Sequence, residues 1–149
     1  MIAVDVALDR VRVGVARAAL VRLGTFVLRA ERVRHAMLSI ALVTPRAIAK
    51  LNTEHLGHRG PTDVLTFALR PSPVTRHPSV VADVYICPAV ARANASAAGV
   101  SPRDELQRLV VHGTLHAVGW DHPAGAGRER SPMWARQEQL LRAWRRRRA

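Results

Sequence analysis

Three histidines stand close together in the run HGTLHAVGWDH: His112, His116 and His122. His112 and His116 are four residues apart, a spacing that on a helix puts both imidazoles on one face, within reach of a common ion. Gly119 is placed to end that helix, so that the chain can turn back and bring His122 toward the same point as a third nitrogen ligand. Three neutral imidazoles suit a single Zn2+ ion and leave the fourth tetrahedral position open for a hydrolytic water, the mark of a catalytic rather than a closed structural site. Histidine pairs at this spacing are common by chance. A third histidine after a helix-ending glycine, beside an aspartate, is what favours zinc. His35, His55, His58 and His77 lack ligand spacing and read as solvated or core residues.

In the protease pattern His-Glu-x-x-His, a glutamate directly after the first histidine activates the water. Here that position is Gly113, so a protease is a poor reading and the proton-transfer group must lie elsewhere, if a side chain supplies it at all. Asp121 is the nearest candidate in sequence, either as general base or, the favoured reading, as a carboxylate that orients a histidine or holds the local structure.

The elements that must position these residues can be read in order. Residues 2–8 (IAVDVAL) alternate as a half-buried strand, and a helix capped by Asp9 is predicted through about Leu28, with Val13, Ala16, Leu20, Leu23 and Val27 at helical spacing. His35 to Thr44 reads as a strand. Thr44 before Pro45 then caps a short helix, RAIAKLNTEH. After the loop LGHRGPT, the segments DVLTFALR and VVADVYIC read as strands joined by the proline-bearing PSPVTRHPS, a candidate antiparallel hairpin. AVARANASAAG suits a helix ending at Gly99. The histidine helix is the best signposted: Ser101 is a plausible N-cap, Pro102 sits in the first turn, and Asp104 and Glu105 complement its positive end. A last helix spans about Ser131 to Trp144 and runs into RRRRA. The expected architecture is α+β: a small mixed sheet of about four strands packed with about five helices, in a single domain over 1–149 that carries a short basic tail at 145–149.

At 149 residues the chain can build a core without disulfides. Its formal net charge is +12, nearly all from arginine, since Lys50 is the only lysine. A compositionally biased genome would explain arginine over lysine, but not a twofold excess of basic over acidic residues. The charge therefore points to a polyanion, with guanidinium groups suited to phosphates and to stacking on bases. Cys87, the only cysteine, rules out an intrachain disulfide and reads as a small buried residue at a strand end rather than a catalytic thiol. The N-terminal stretch carries Asp5 and Asp9 through its apolar residues, and no segment approaches the roughly 20 apolar residues of a membrane span. A cytoplasmic protein without membrane contact is the expectation.

The sequence resembles the YbeY family of ribosomal-RNA maturation endoribonucleases, whose motif is His-Gly-x-Leu-His-x-x-Gly-x-Asp-His. His112, Gly113, Leu115, His116, Gly119, Asp121 and His122 fill every fixed position. Leu51 and Asn52, the stretch PTDVLTF from Pro61 to Phe67, the pair Asp83 and Val84, and MWARQE from Met133 to Glu138 follow in family order. The resemblance implies a compact α+β fold with the zinc site at one end of a groove, and metal-dependent cleavage of single-stranded RNA. It also implies processing of the 3′ end of 16S ribosomal RNA and a part in ribosome quality control. The implied partners are ribosomal RNA or the small ribosomal subunit, with ribosome-associated proteins besides. Two positions depart from the pattern. Leu56 stands where many members have an arginine, and Ala82 replaces a glycine.

Arg59, three positions beyond Leu56, is a candidate to supply the missing guanidinium. Arg145, Arg146, Arg147 and Arg148 in the tail are candidate RNA contacts; a solvated helix end favoured by cations is the alternative reading of the same residues. Against the nuclease stands an RNA-binding assembly factor with a mainly structural zinc site. A zinc hydrolase of peptides or small molecules is a third reading, opposed by Gly113 and by the basic charge.

Overall fold

Clean alternation of buried and exposed side chains along His35–Leu42 (β2) and Ser79–Ile86 (β4) gives each strand one face to bury. The two pair in parallel, Ile2–Leu8 (β1) adds in parallel to the outer side of β2, and Val64–Leu69 (β3) adds antiparallel to β4, in the order β1-β2-β4-β3. The computed structural model describes residues 1–69 and 79–148. The sheet is mixed and four-stranded, in an α+β domain. The β3–β4 pair is the antiparallel hairpin, and its connection over 70–78, including His77, lies outside the described residues.

Two layers of helix cover the sheet. Arg17–Ala30 (α1) and Pro102–Val118 (α4) pack on one face, where Leu20, Leu23 and Val27 meet Leu38, Ile40, Val84 and Val110 in the main core. Pro132–Arg148 (α5) lies across α4 and α1, and buries Leu140, Leu141 and Trp144. The opposite face carries a smaller cluster, in which Val43, Ile48, Leu65 and Cys87 are joined by Ala41 and Tyr85 beneath Pro45–Leu56 (α2). Cys87 is fully buried and precedes Pro88–Ala98 (α3). No helix among the described residues is long and apolar enough to cross a membrane.

One helix boundary differs from the sequence reading. α1 begins at Arg17, not after Asp9, because Val11, Val13 and Val15 are spaced by two and pack against the core from an extended segment. The backbone N–H of Asp9 is already committed to the carbonyl of Leu42, and Arg10 turns the chain with φ of 60°. A short 3-10 turn, Gly125–Arg130, precedes α5 and was not anticipated.

α4 forms as its signals predict. The Ser101 side chain accepts the N–H of Asp104 at 3.0 Å, and Gly119, in the left-handed region at φ 119°, closes the C-terminus with its N–H on Leu115 and His116. The helix lies unusually close to the sheet at Gly113: a Cβ there would stand 2.6 Å from Cγ1 of the buried Val84, with Thr66 and Val64 next nearest. Thr66 also donates its hydroxyl to the Gly113 carbonyl at 3.2 Å. Gly113→Ala should therefore destabilise the protein by about 1–3 kcal/mol in chemical denaturation, despite alanine's better helix propensity. The cost should shrink in a Val84→Ala background, and an alanine variant as stable as wild type would refute the close approach.

Candidate metal centre

Because His112 and His116 are one helical turn apart and the chain reverses at Gly119, the three imidazoles face one another. His112 and His122 have their Nε2 atoms 3.3 Å apart, and one nitrogen from each of the three rings falls within a 4.8 Å cluster. Each ring's other nitrogen is held by a different partner. His112 Nδ1 meets Oε1 of Gln137 at 2.7 Å, His116 Nδ1 meets the Trp120 carbonyl at 2.9 Å, and His122 Nδ1 meets the Pro123 carbonyl at 2.9 Å.

These partners decide the tautomers. A backbone carbonyl only accepts, so the Nδ1 atoms of His116 and His122 carry the proton. Gln137 is fully buried, and its amide nitrogen donates to Glu138 at 3.1 Å, leaving its oxygen to accept from His112. All three Nε2 atoms thus present lone pairs to the same point. Two such acceptors at 3.3 Å repel unless a cation lies between them, and two imidazoles on one tetrahedral zinc are about 3.4 Å apart. The donor set fits one Zn2+ ion.

Ionisation agrees with this. Burial is the largest influence on His112 and, with the neighbouring His116, His122 and Arg128, it outweighs the Gln137 hydrogen bond and lowers the pKa to about 4. His116 is also lowered, mainly by burial and then by His122, against the Trp120 carbonyl and Asp121. Behind Gln137 stands Glu138, which takes two hydrogen bonds from Arg108 at 3.0 and 3.1 Å. Burial opposes its ionisation, but Arg108 and Gln137 more than offset this and keep it below the usual carboxylate range. Arg108 is held in turn by Asp104 and Glu105.

The turn bearing His122 is also tied down. Glu31, just past the end of α1, accepts the indole N–H of Trp120 on one oxygen and Arg136 of α5 on the other, at 2.8 Å. Asp121 is exposed. Its Oδ1 accepts the backbone N–H of His122 at 2.9 Å, so it shapes the turn and holds no imidazole.

The cluster forms part of a groove of about 1010 Å³, walled by β3, the end of α4 and the Trp120–His122 turn. Asp63, Asp121, Glu31 and Arg128 line it. Arg59 does not: it is exposed in the loop after α2, which Asn52 pins by donating to the Gly60 carbonyl at 3.1 Å. Among the described residues, Arg128, in the 3-10 turn, is the arginine that lines the groove, and no spacing in the sequence marks it. Gln137 was visible only as one letter of MWARQE. Of the tail, Arg145 pairs with Asp104, Arg146 is exposed, and Arg147 lies over the rings of Phe26 and Trp144.

Residues 12–145 match the family model described as endoribonuclease YbeY. The chain belongs to the YbeY family. An endoribonuclease YbeY of Thermobifida fusca is 41% identical over 133 residues, covering 85% of this chain and 84% of its own. That of Acidothermus cellulolyticus is 45% identical over 119 residues, covering 74% and 71%. The solution structure of TM1509 from Thermotoga maritima matches with a TM-score of 0.62 at 25% identity, over 95% of this chain and 89% of that one. The YbeY motif's glycine is here the residue whose missing side chain lets α4 meet β4, and the same contact excludes the glutamate of the protease pattern.

Two measurements test the centre. Gln137→Leu should weaken zinc binding roughly 10–100-fold in chelator competition, and affinity equal to wild type would remove Gln137 from the site. In metal-free protein, His112 titrates near 6.5 when unfolded but only near 4 when folded, so between those values the unfolded chain holds the extra proton. Stability should fall as pH drops through that window, and His112→Gln should flatten the dependence.

Proposed function

We propose that this protein is a zinc-dependent, single-strand-specific endoribonuclease acting on ribosomal RNA, with one Zn2+ held by His112, His116 and His122. The observation that carries the reading is the convergence of three Nε2 lone pairs at a groove, in a chain of a family named for endoribonuclease activity. A closed structural zinc site takes four protein ligands, whereas among the described residues three histidines make up this cluster. That difference favours the enzyme over an assembly factor with structural zinc.

When bound, the ion lowers the pKa of a coordinated water toward neutrality and supplies positive charge for a phosphoryl oxygen. The chain's own residues do the rest. Gln137 and the carbonyls of Trp120 and Pro123 hold the imidazoles neutral and correctly turned. Arg128 binds a phosphate at the groove wall. Asp121 carries the proton: Glu31 and Asp63 have both oxygens engaged by side chains, whereas Oδ2 of Asp121 has no such partner among the described residues. Arg59 and Arg146 add positive potential along the path of the strand, and the side chain of Arg148 lies outside the described residues.

The same proposal reads residues 1–149 as one endoribonuclease domain with a basic tail at 145–149. It places the protein in the cytoplasm, in processing the 3′ end of 16S ribosomal RNA and in ribosome quality control. Its partners there are the small subunit and ribosome-associated proteins.

Zinc-loaded protein should cleave a single-stranded fragment from the 3′ end of 16S ribosomal RNA, and His112→Ala should be slower by about a thousandfold or more, because the ion supplies several kcal/mol. Equal cleavage by the two proteins would overturn the reading. Asp121→Asn should keep its zinc and lose about 10²–10⁴ in rate; full activity would leave Asp121 with its turn-shaping role alone.

A further inference from the structure

Away from the groove, α1 and α5 enclose a second depression of about 340 Å³, lined by Arg22, Thr25, Phe26, Arg29, Trp144 and Arg147. Arg22, Phe26 and Arg29 fall at i, i+4 and i+7, one face of α1, so the two guanidinium groups project on either side of the ring. Phe26 meets Trp144 with ring centroids 5.4 Å apart, and Arg147 lies 5.3 Å above Phe26 and 5.8 Å above Trp144. No carboxylate lines the depression, and among the described residues Arg22 and Arg29 have neither an ion pair nor a side-chain hydrogen bond. Trp144 is only 4% exposed, so its ring supports Arg147 rather than receiving a base.

The depression and the groove rim lie along one seam between α1 and α5. α1 and α5 run antiparallel, with Arg136 on Glu31 and the Ala30 carbonyl at the groove rim, and Trp144 on Phe26 further along the same seam. From Arg136 to Trp144 the helix rises about 12 Å, a distance of more than one nucleotide. At the rim the Glu31 carboxylate is already met by Arg136 and Trp120.

We propose that Arg22, Arg29 and Arg147 form a second, sequence-independent contact for the phosphodiester backbone of the strand whose reacting part lies in the metal groove. Three cations along a seam that leads out of the groove make the ligand a single strand of nucleic acid longer than the groove itself. The proposal rests on the ribonuclease reading and extends it. It makes the enzyme sensitive to substrate length, through affinity rather than through the chemical step.

The test uses the full-length zinc-loaded protein and the Arg22→Gln/Arg29→Gln variant, which leaves the ring contacts of Arg147 in place. Binding of labelled single-stranded RNAs of about 4 and about 12 nucleotides is measured over a salt series. The variant should bind the long RNA roughly five- to tenfold more weakly at physiological salt, with the slope of log affinity on log salt reduced by about 1.4, and should bind the short RNA as wild type does. Arg147→Gln should reproduce the direction, with melting temperature as the control for its ring contacts. An unchanged slope for the long RNA, or equal losses for both lengths, would overturn the proposal. Intact RNA binding with lost binding to anionic phospholipid vesicles would assign the patch to a lipid surface instead, and overturn it too. Wild-type protein that binds neither RNA would sink the ribonuclease reading itself, an outcome distinct from the variant matching a wild type that binds.

Discussion

The contact between the backbone of α4 and the side chain of Val84 sets the geometry of this molecule. With no Cβ at Gly113, the helix settles onto β3 and β4 closely enough for Thr66 to reach the Gly113 carbonyl. That closeness fixes how the helix is rotated about its axis. Val110 and Leu115 then point into the core, and His112 and His116 border the groove. A packing requirement and a chemical one are therefore met by the same residue. The position that carries glutamate in the protease pattern is spent here on bringing the helix to the sheet, so no carboxylate stands directly after His112.

The second requirement is electrostatic. Three imidazole lone pairs aimed at one point repel, and a free cluster would relieve this by rotating a ring or taking up a proton. Here rotation is opposed at all three rings and protonation at two of them. Each Nδ1–H is committed to an acceptor that cannot donate back, and burial disfavours protonation of His112 and His116. The acceptor for His112 is itself fixed by a chain that runs through Glu138 to Arg108 and returns to the first turn of α4. The repulsion is thus held in place by folding energy, and a cation that fits between the three nitrogens relieves it. Packing thus gathers three nitrogens into a set that fits a metal ion.

How much of this the sequence revealed depended on the range of the signal. α4 was legible at both ends, because Ser101, Pro102 and Gly119 act within a turn of themselves, and the histidine spacing is likewise local. The start of α1 was not legible. Val13, Ala16 and Leu20 satisfy a helical period, but Val11, Val13 and Val15 also satisfy a period of two, and the commitment of Asp9 to Leu42 decides between them. Gln137 and Arg128 act across tertiary contacts with no spacing rule, so Arg59, nearer the family's arginine position, looked the better candidate for the groove. The tail read as a uniform run of charge. Helical periodicity sorts it: Arg145 turns inward to Asp104, while Arg147 turns over the aromatic pair.

Glu31 has a consequence for how the site comes into being. It joins the end of α1 to the ligand-bearing turn and to α5, and Gln137 stands one residue beyond the arginine it holds. Of the three imidazoles, only His112 takes its partner from α5, whereas His116 and His122 bond carbonyls of the turn that follows α4. Until α5 docks, the His112 ring lacks the acceptor that fixes its rotation. The cluster is therefore complete only when α1, the Trp120–His122 turn and α5 have come together.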